Sequence, residues 1–175
     1  MRLRDAVAAD AGAIAAIFND AVRNTLAIWS EAEVSAANRA DWIAARQGAG
    51  LPVLVAEDAQ GAVQGYASYG EWRAFAGFRH TVEHSVYVAP AARGGGVGRL
   101  LMAALIDRAR AQGKHVMVAG IEAGNLASIR LHESFGFRQT ALMPEVGCKF
   151  GRWLDLAFLQ LRLDDRLDPD AIPRA

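Results

Sequence analysis

One segment constrains the fold more than any other. Val86-Tyr87-Val88-Ala89-Pro90-Ala91-Ala92-Arg93-Gly94-Gly95-Gly96-Val97-Gly98-Arg99-Leu100-Leu101 passes from strand-forming residues through a glycine-rich turn into an apolar helical pattern. Thr81 to Val88 is rich in β-branched residues, as a strand requires. Val97, Leu100, Leu101, Ala104 and Leu105 recur at helical spacing, and Gly113 ends that helix. His115 to Ile121 then reads as a continuous apolar strand, the signature of a central parallel position. A strand–loop–helix–strand unit demands a sheet with a crossover helix packed on it.

The glycine-rich turn is suited to an anion. Glycines let backbone N–H groups approach closely, and a helix start adds unpaired N–H groups and a positive dipole end. Arg93 and Arg99 add charge. A Walker A loop needs Lys and Ser/Thr after its last glycine, whereas Arg99 and Leu100 follow Gly98. A dinucleotide fingerprint needs G-x-G-x-x-G and a later acidic residue, and both are lacking. A pyrophosphate bound in another way remains, beside the plainer alternative of a turn with no ligand.

The flanking chain supplies the remaining elements. Arg2 to Ala6 reads as a strand, and Ile14, Ile17, Phe18, Ala21 and Val22 mark an amphipathic helix. Asn38 to Gln47 is a second helix. Val53 to Ala56 and Val63 to Trp72 form a hairpin around Asp58-Ala59-Gln60-Gly61. A short helix spans Asn125 to Ser134, and strands follow Phe137 and run from Trp153 to Leu163. The expected fold is α/β (α+β), with a mixed, mostly antiparallel sheet of about six to seven strands flanked by helices. Residues 1–163 form one domain and residues 164–175 a charged tail.

Composition excludes several classes. The 175 residues carry 19 Lys+Arg and 19 Asp+Glu, so the net charge is zero. That speaks against a nucleic-acid partner, which needs a basic excess. Hydrophobic residues reach 53%, well above the level of disordered chains. One cysteine, Cys148, permits no intrachain disulfide and suits a reducing compartment. Met1-Arg2-Leu3-Arg4-Asp5 leads into no apolar run, and Leu100 to Ile106 is too short to span a bilayer. A cytoplasmic protein without membrane association is expected. His80 and His84, four apart on a strand, lie roughly 13 Å from each other, so no metal site is expected.

Arg93-x-x-Gly96-x-Gly98 resembles the acetyl-CoA pyrophosphate loop of the GCN5-related N-acetyltransferases. Asn125-Leu126-Ala127-Ser128-Ile129-Arg130-Leu131-His132-Glu133-Ser134-Phe135-Gly136-Phe137 is similar to a second segment of that superfamily. Three further stretches resemble the phosphinothricin and methionine sulfoximine N-acetyltransferases: Trp72-Arg73, Thr81-Val82-Glu83-His84-Ser85-Val86-Tyr87-Val88, and Gly147-Cys148-Lys149-Phe150-Gly151-Arg152-Trp153-Leu154-Asp155. The resemblance implies the acyl-CoA N-acyltransferase fold and direct acetyl transfer from acetyl-CoA to the α-amino group of a small amino acid or analogue. It also implies a homodimer. An enzyme acting on a peptide N-terminus or aminoglycoside, and a non-catalytic acetyl-CoA-binding module, are the alternatives.

Candidate residues follow. Val86, Tyr87, Val88, Arg93, Gly94, Gly95, Gly96, Val97, Gly98 and Arg99 would hold the cofactor, with Asn125 on the pantetheine arm and Ser128 beside its path. Gly95 stands where many relatives carry Lys or Arg. Glu83, on the strand entering the loop, is the candidate base, because partial burial raises a carboxyl pKa toward the working range. His132 stands where many relatives carry a Tyr credited as the acid, and is the candidate proton donor to the thiolate. Tyr87 is a minor candidate for that role. His84 should face the opposite side of the strand from Glu83 and be structural. Arg73 is the first choice for the substrate carboxylate, ahead of Arg79 and Lys149. Trp29, Phe75 and Phe78 would line an apolar side-chain pocket, and Lys149 would reach a neighbouring subunit's site.

Overall fold

Strand pairing in the computed structural model, which describes residues 1–171, places the glycine-rich turn beside a gap in the sheet. The described residues form seven strands: β1 (Arg2–Asp5), β2 (Val53–Glu57), β3 (Val63–Glu71), β4 (Thr81–Val88), β5 (Val116–Glu122), β6 (Arg138–Lys149) and β7 (Arg152–Arg162). They lie in the order β1-β2-β3-β4-β5-β7-β6. Only β4 and β5 are parallel, as the crossover through the helix after β4 requires.

Four α-helices flank the sheet: α1 (Ala11–Asn24), α2 (Ala36–Gly48), α3 (Val97–Ala111) and α4 (Leu126–Glu133). Val97, Leu101, Met102 and Leu105 of α3 pack on Leu54, Ala67, Val82, Met117 and Leu159 on one face. Ile14 and Ile17 of α1 and Ile43 of α2 pack on Val53, Val55 and Tyr66 on the other. The amphipathic periodicities of α1 and α3 thus locate two separate core layers. Ser35 caps α2 by accepting from the Asn38 N–H.

The parallel pair is short. β4 and β5 register only at Thr81↔Val116, Val82↔Met117 and Glu83↔Val118, then diverge. β4 continues to Val88 on β3, and β5 continues to Glu122 on β7. Past Glu83, the β5-facing edge of β4 therefore presents backbone donors and acceptors with no strand opposite.

The charged tail is not a free appendage as far as Asp170. Asp164 pairs with His115, the Arg166 guanidinium donates to the Gly113 carbonyl, and Asp170 pairs with Arg79. Residues 172–175 of that tail lie outside the described residues. No helix among the described residues is long and apolar enough to cross a membrane.

Candidate active site

A cavity of about 780 Å³ opens where β4 and β5 part. Its walls come from Glu83 to Val88, from the turn at Arg93, Gly94, Gly96, Gly98 and Arg99, and from Asn125, Ser128 and His132. Gly94 and Gly96 have φ of +78° and +82°, a region that disfavours any residue with a Cβ. Gly96 precedes α3, so the N–H groups of Val97, Gly98 and Arg99 point off the helix start without intrahelical acceptors. This concave set of donors and the unpaired edge of β4 fit a pyrophosphate followed by an amide-bearing arm. Gly95 makes a turn bond to Ala92 and is not part of the lining.

The two arginines are already engaged. Arg93 pairs with Asp20 at 2.7 Å, and Arg99 donates to the Ser134 hydroxyl and lies over the Phe135 ring. Asn125 caps α4 by accepting from the Ser128 N–H, and it also lines the cavity.

A smaller cavity of about 280 Å³ adjoins the first, sharing Ala27, Glu83, Gly120 and Glu122 with it. Trp29, Trp72, Arg73, Leu156 and Phe158 complete it. Glu83 thus stands at the junction of the two spaces. Burial pushes its carboxyl pKa up, and the Arg73 guanidinium pulls it part of the way back. Its Oε1 leans toward Gly120, where an added Cβ would lie only 3.2 Å away. Gly120 therefore keeps the carboxyl's space clear. Arg73 stacks on Trp72 at 4.4 Å.

Several expected residues lie elsewhere or act differently. Phe75 is 79% exposed and lines neither cavity. Phe78 lines neither cavity but a third hollow with Thr81, Val116 and Gln160, separated from the aromatic cavity by Trp72 and Phe158, which line both. Lys149 is buried, and its ammonium donates to the carbonyls of Val22, Thr25 and Ile28 at 2.6, 2.8 and 2.6 Å. Three donors meet three acceptors, so nothing remains for a substrate or a neighbouring subunit. Arg79 is taken by Asp170. Tyr87 packs against Tyr66 in the layer beneath α1, and burial raises its pKa.

His132 also departs from expectation. Its Nδ1 lies 2.7 Å from the Ser128 carbonyl and its Nε2 3.1 Å from Nε2 of His84. Both ring nitrogens are occupied, and burial lowers its pKa, so the neutral ring holds no spare N–H for the cavity. His84 does face away from Glu83, but as the stacked partner of His132 rather than as filler.

The sequence reading missed Arg46, Glu122, Gly120 and the His84 contact. Arg46 on α2 lines the larger cavity together with Glu71 and Glu83. Its helical position was visible in sequence; its reach across β3 depends on the strand register.

These features match a known family. The acetyltransferase (GNAT) family model covers residues 14–137. The chain belongs to this acetyltransferase family. It is 61% identical to the Escherichia coli K12 L-amino acid N-acyltransferase MnaT, over 98% of this chain and 99% of that one. It is 60% identical to the Salmonella typhimurium L-methionine sulfoximine/L-methionine sulfone acetyltransferase, with 98% and 99% of the two chains covered. Phosphinothricin N-acetyltransferases match at lower identity. A Salmonella typhimurium protein solved with its cofactor acetyl-CoA superimposes with a TM-score of 0.94 at 60% identity, covering 98% of each chain. The expected fold is thereby confirmed for this acetyltransferase, and its loop at Arg93 to Arg99 falls within the matched family segment.

Proposed function

We propose that this acetyltransferase moves the acetyl group of acetyl-CoA directly to the α-amino group of small amino acids or analogues, such as methionine sulfoximine, methionine sulfone or phosphinothricin. The observation that carries the reading is the position of Glu83, a half-buried carboxyl with raised pKa at the junction of a phosphate-suited cavity and an aromatic one.

Acetyl-CoA supplies an activated thioester. Gly94, Gly96, Val97, Gly98 and Arg99 would hold its pyrophosphate, with Val86, Tyr87, Val88, Asn125 and Ser128 along the arm. An α-ammonium cannot attack a thioester until it loses a proton. Glu83, directly or through water, accepts that proton, and its elevated pKa makes it a better base than an exposed glutamate. Trp29, Trp72 and Phe158 enclose the acceptor's side chain, and Arg73 places positive charge beside it for the acceptor's anionic groups. The C–S bond breaks as the C–N bond forms, and the second proton shed by the acylated nitrogen passes to the leaving thiolate, since the neutral His84–His132 pair has no N–H to offer the cavity. Arg73 among the aromatic walls suits an amino acid better than a polycationic aminoglycoside. A cytoplasmic homodimer serving detoxification or ordinary metabolism completes the reading.

The test is thiol release over a panel of amino acids, with Glu83→Gln beside the wild type. The variant is expected to lose at least about 100-fold in kcat with its KM for acetyl-CoA unchanged. Wild-type turnover retained in Glu83→Gln removes the base assignment. Because Glu83 must be ionised, kcat/KM for the acceptor should rise with pH through the elevated Glu83 pKa, and this ascending limb should vanish in the variant.

A further inference from the structure

We propose that Arg46 is the α-carboxylate anchor of the acceptor, with Arg73 left to contact the far end of its side chain. The inference rests on the amino-acid acceptor reading above and deepens it.

Register is the first ground. Gly70 of β3 pairs directly with Glu83 of β4. Residues paired in this way present their side chains on the same sheet face, with Cβ positions about 5 Å apart. Gly70 has no Cβ, and that vacant position is filled from α2: a Cβ built there would land on Nη1 of Arg46 and 2.9 Å from its Cζ. The Arg46 guanidinium thus serves as the side chain of position 70, next to the candidate base. On the other side of Glu83, Gly120 leaves open space toward which the carboxyl leans. The carboxyl leans one way and the guanidinium stands on the other side, and both line the same cavity.

Valence is the second ground. A guanidinium has five N–H donors. Among the described residues Arg46 makes one hydrogen bond, from Nη1 to the Tyr69 carbonyl at 3.0 Å, and no ion pair; Glu71 shares the cavity without pairing to it. Its ring contact with Trp42 is long, at 5.8 Å. Burial lowers its pKa, so the charge sits in a partly desolvated place without compensation. Arginines kept only for packing are normally paired when withdrawn from water. A carboxylate received bidentately would satisfy the free donors.

Acceptor chemistry decides between the two arginines. In an amino acid the carboxylate is one carbon from the amine that Glu83 must deprotonate, so its cation has to stand beside Glu83 in register. Arg46 meets that condition. Arg73 is near enough to Glu83 to pull its pKa down, but it approaches from the aromatic cavity, stacked on Trp72 beyond the end of β3 among Trp29, Leu156 and Phe158, on the side where the acceptor's side chain would extend.

The experiment compares L-methionine sulfone with its carboxamide as acceptors for wild type, Arg46→Gln and Arg73→Gln. Wild type should prefer the acid by roughly 50-fold in kcat/KM, the scale of a charge-assisted bidentate pair. In Arg46→Gln the acid should fall by about that factor and the amide change little, so the preference collapses while the KM for acetyl-CoA holds. Gly70→Ala, which displaces the guanidinium without removing charge, should reproduce the collapse and serves if Arg46→Gln folds poorly. Equal losses for acid and amide, or a preference erased by Arg73→Gln instead, overturn the assignment alone. Wild type inactive toward every amino acid overturns the acceptor reading and the assignment with it.

Discussion

At the scale of single residues, the His84–His132 pair sets a pH limit. The Ser128 carbonyl can only accept, so His132 Nδ1 carries a proton. One proton then lies between the two Nε2 atoms, and in the neutral pair it comes from His84. His84 Nδ1 is left buried and without a partner. Burial and the neighbouring ring lower the His84 pKa to about 3. The unfolded chain titrates this residue near 6.5, so between these values it binds more protons than the folded chain. Stability therefore falls as pH drops below about 6.5. From pH 7.5 to 5.5 His84 alone should remove about 1.4 kcal/mol. Urea unfolding of wild type and His84→Gln at the two pH values checks this: the variant should lose about that much less, and identical losses would refute the account. Neither the contact nor its polarity was legible in sequence. Alternation placed His84 opposite Glu83 correctly, but which helix residue meets that face depends on how α4 returns after β5.

At the scale of elements, Lys149 and Gly147 join the end of β6 to the segment after α1. Lys149 holds the carbonyls of Val22, Thr25 and Ile28, and a Cβ on Gly147 would strike the Trp29 ring. The Trp29 indole N–H also donates to Leu26, closing the turn upon itself. One wall of the aromatic cavity, from Ala27 to Trp29, is thus set by a strand more than a hundred residues away. Gly147-Cys148-Lys149 was recognisable by resemblance as a meaningful segment, yet a lysine in sequence suggests a ligand for anions. Only its three carbonyl partners reveal a clamp. Lys149→Met leaves one buried and two half-buried carbonyls without the ammonium and should cost about 3 kcal/mol in unfolding free energy. Gly147→Ala should raise the acceptor KM several-fold and leave the acetyl-CoA KM unchanged. Steady-state kinetics with both substrates varied distinguishes this from a general loss of fold. The strand–turn–helix at β4 and α3, by contrast, was readable because glycine spacing, helical periodicity and cavity wall all lie within a single stretch of chain.

At the scale of the molecule, the sheet is covered unevenly. α1 lies against β3 and β4, and α2 against β2, while the same face of β5, β7 and β6 carries Val116, Val118, Phe158 and Gln160 around an open hollow. β6 is an edge strand exposed along nearly its whole length. Leu142, Met143, Val146, Phe150 and Trp153 are exposed on β6, β7 and their turn, with Trp153 at 68%. A long edge with an apolar fringe is a liability in an isolated chain and usually marks an interface. The zero net charge removes long-range repulsion between copies. The proposed homodimer, if formed through β6 and β7 with the clamp at Gly147 to Lys149 behind the interface, would cover both the edge and its apolar fringe. Sedimentation equilibrium should give a dimer for wild type, and Leu142→Glu with Trp153→Glu should shift it toward monomer. Both changes lie on side chains outside the two cavities, so the monomeric variant should still fold. If that monomer also shows a raised acceptor KM, the interface steadies the Trp29 wall; an unaltered KM would mean that each subunit builds its acceptor site alone. A wild type that remains monomeric at micromolar concentration would remove the dimer.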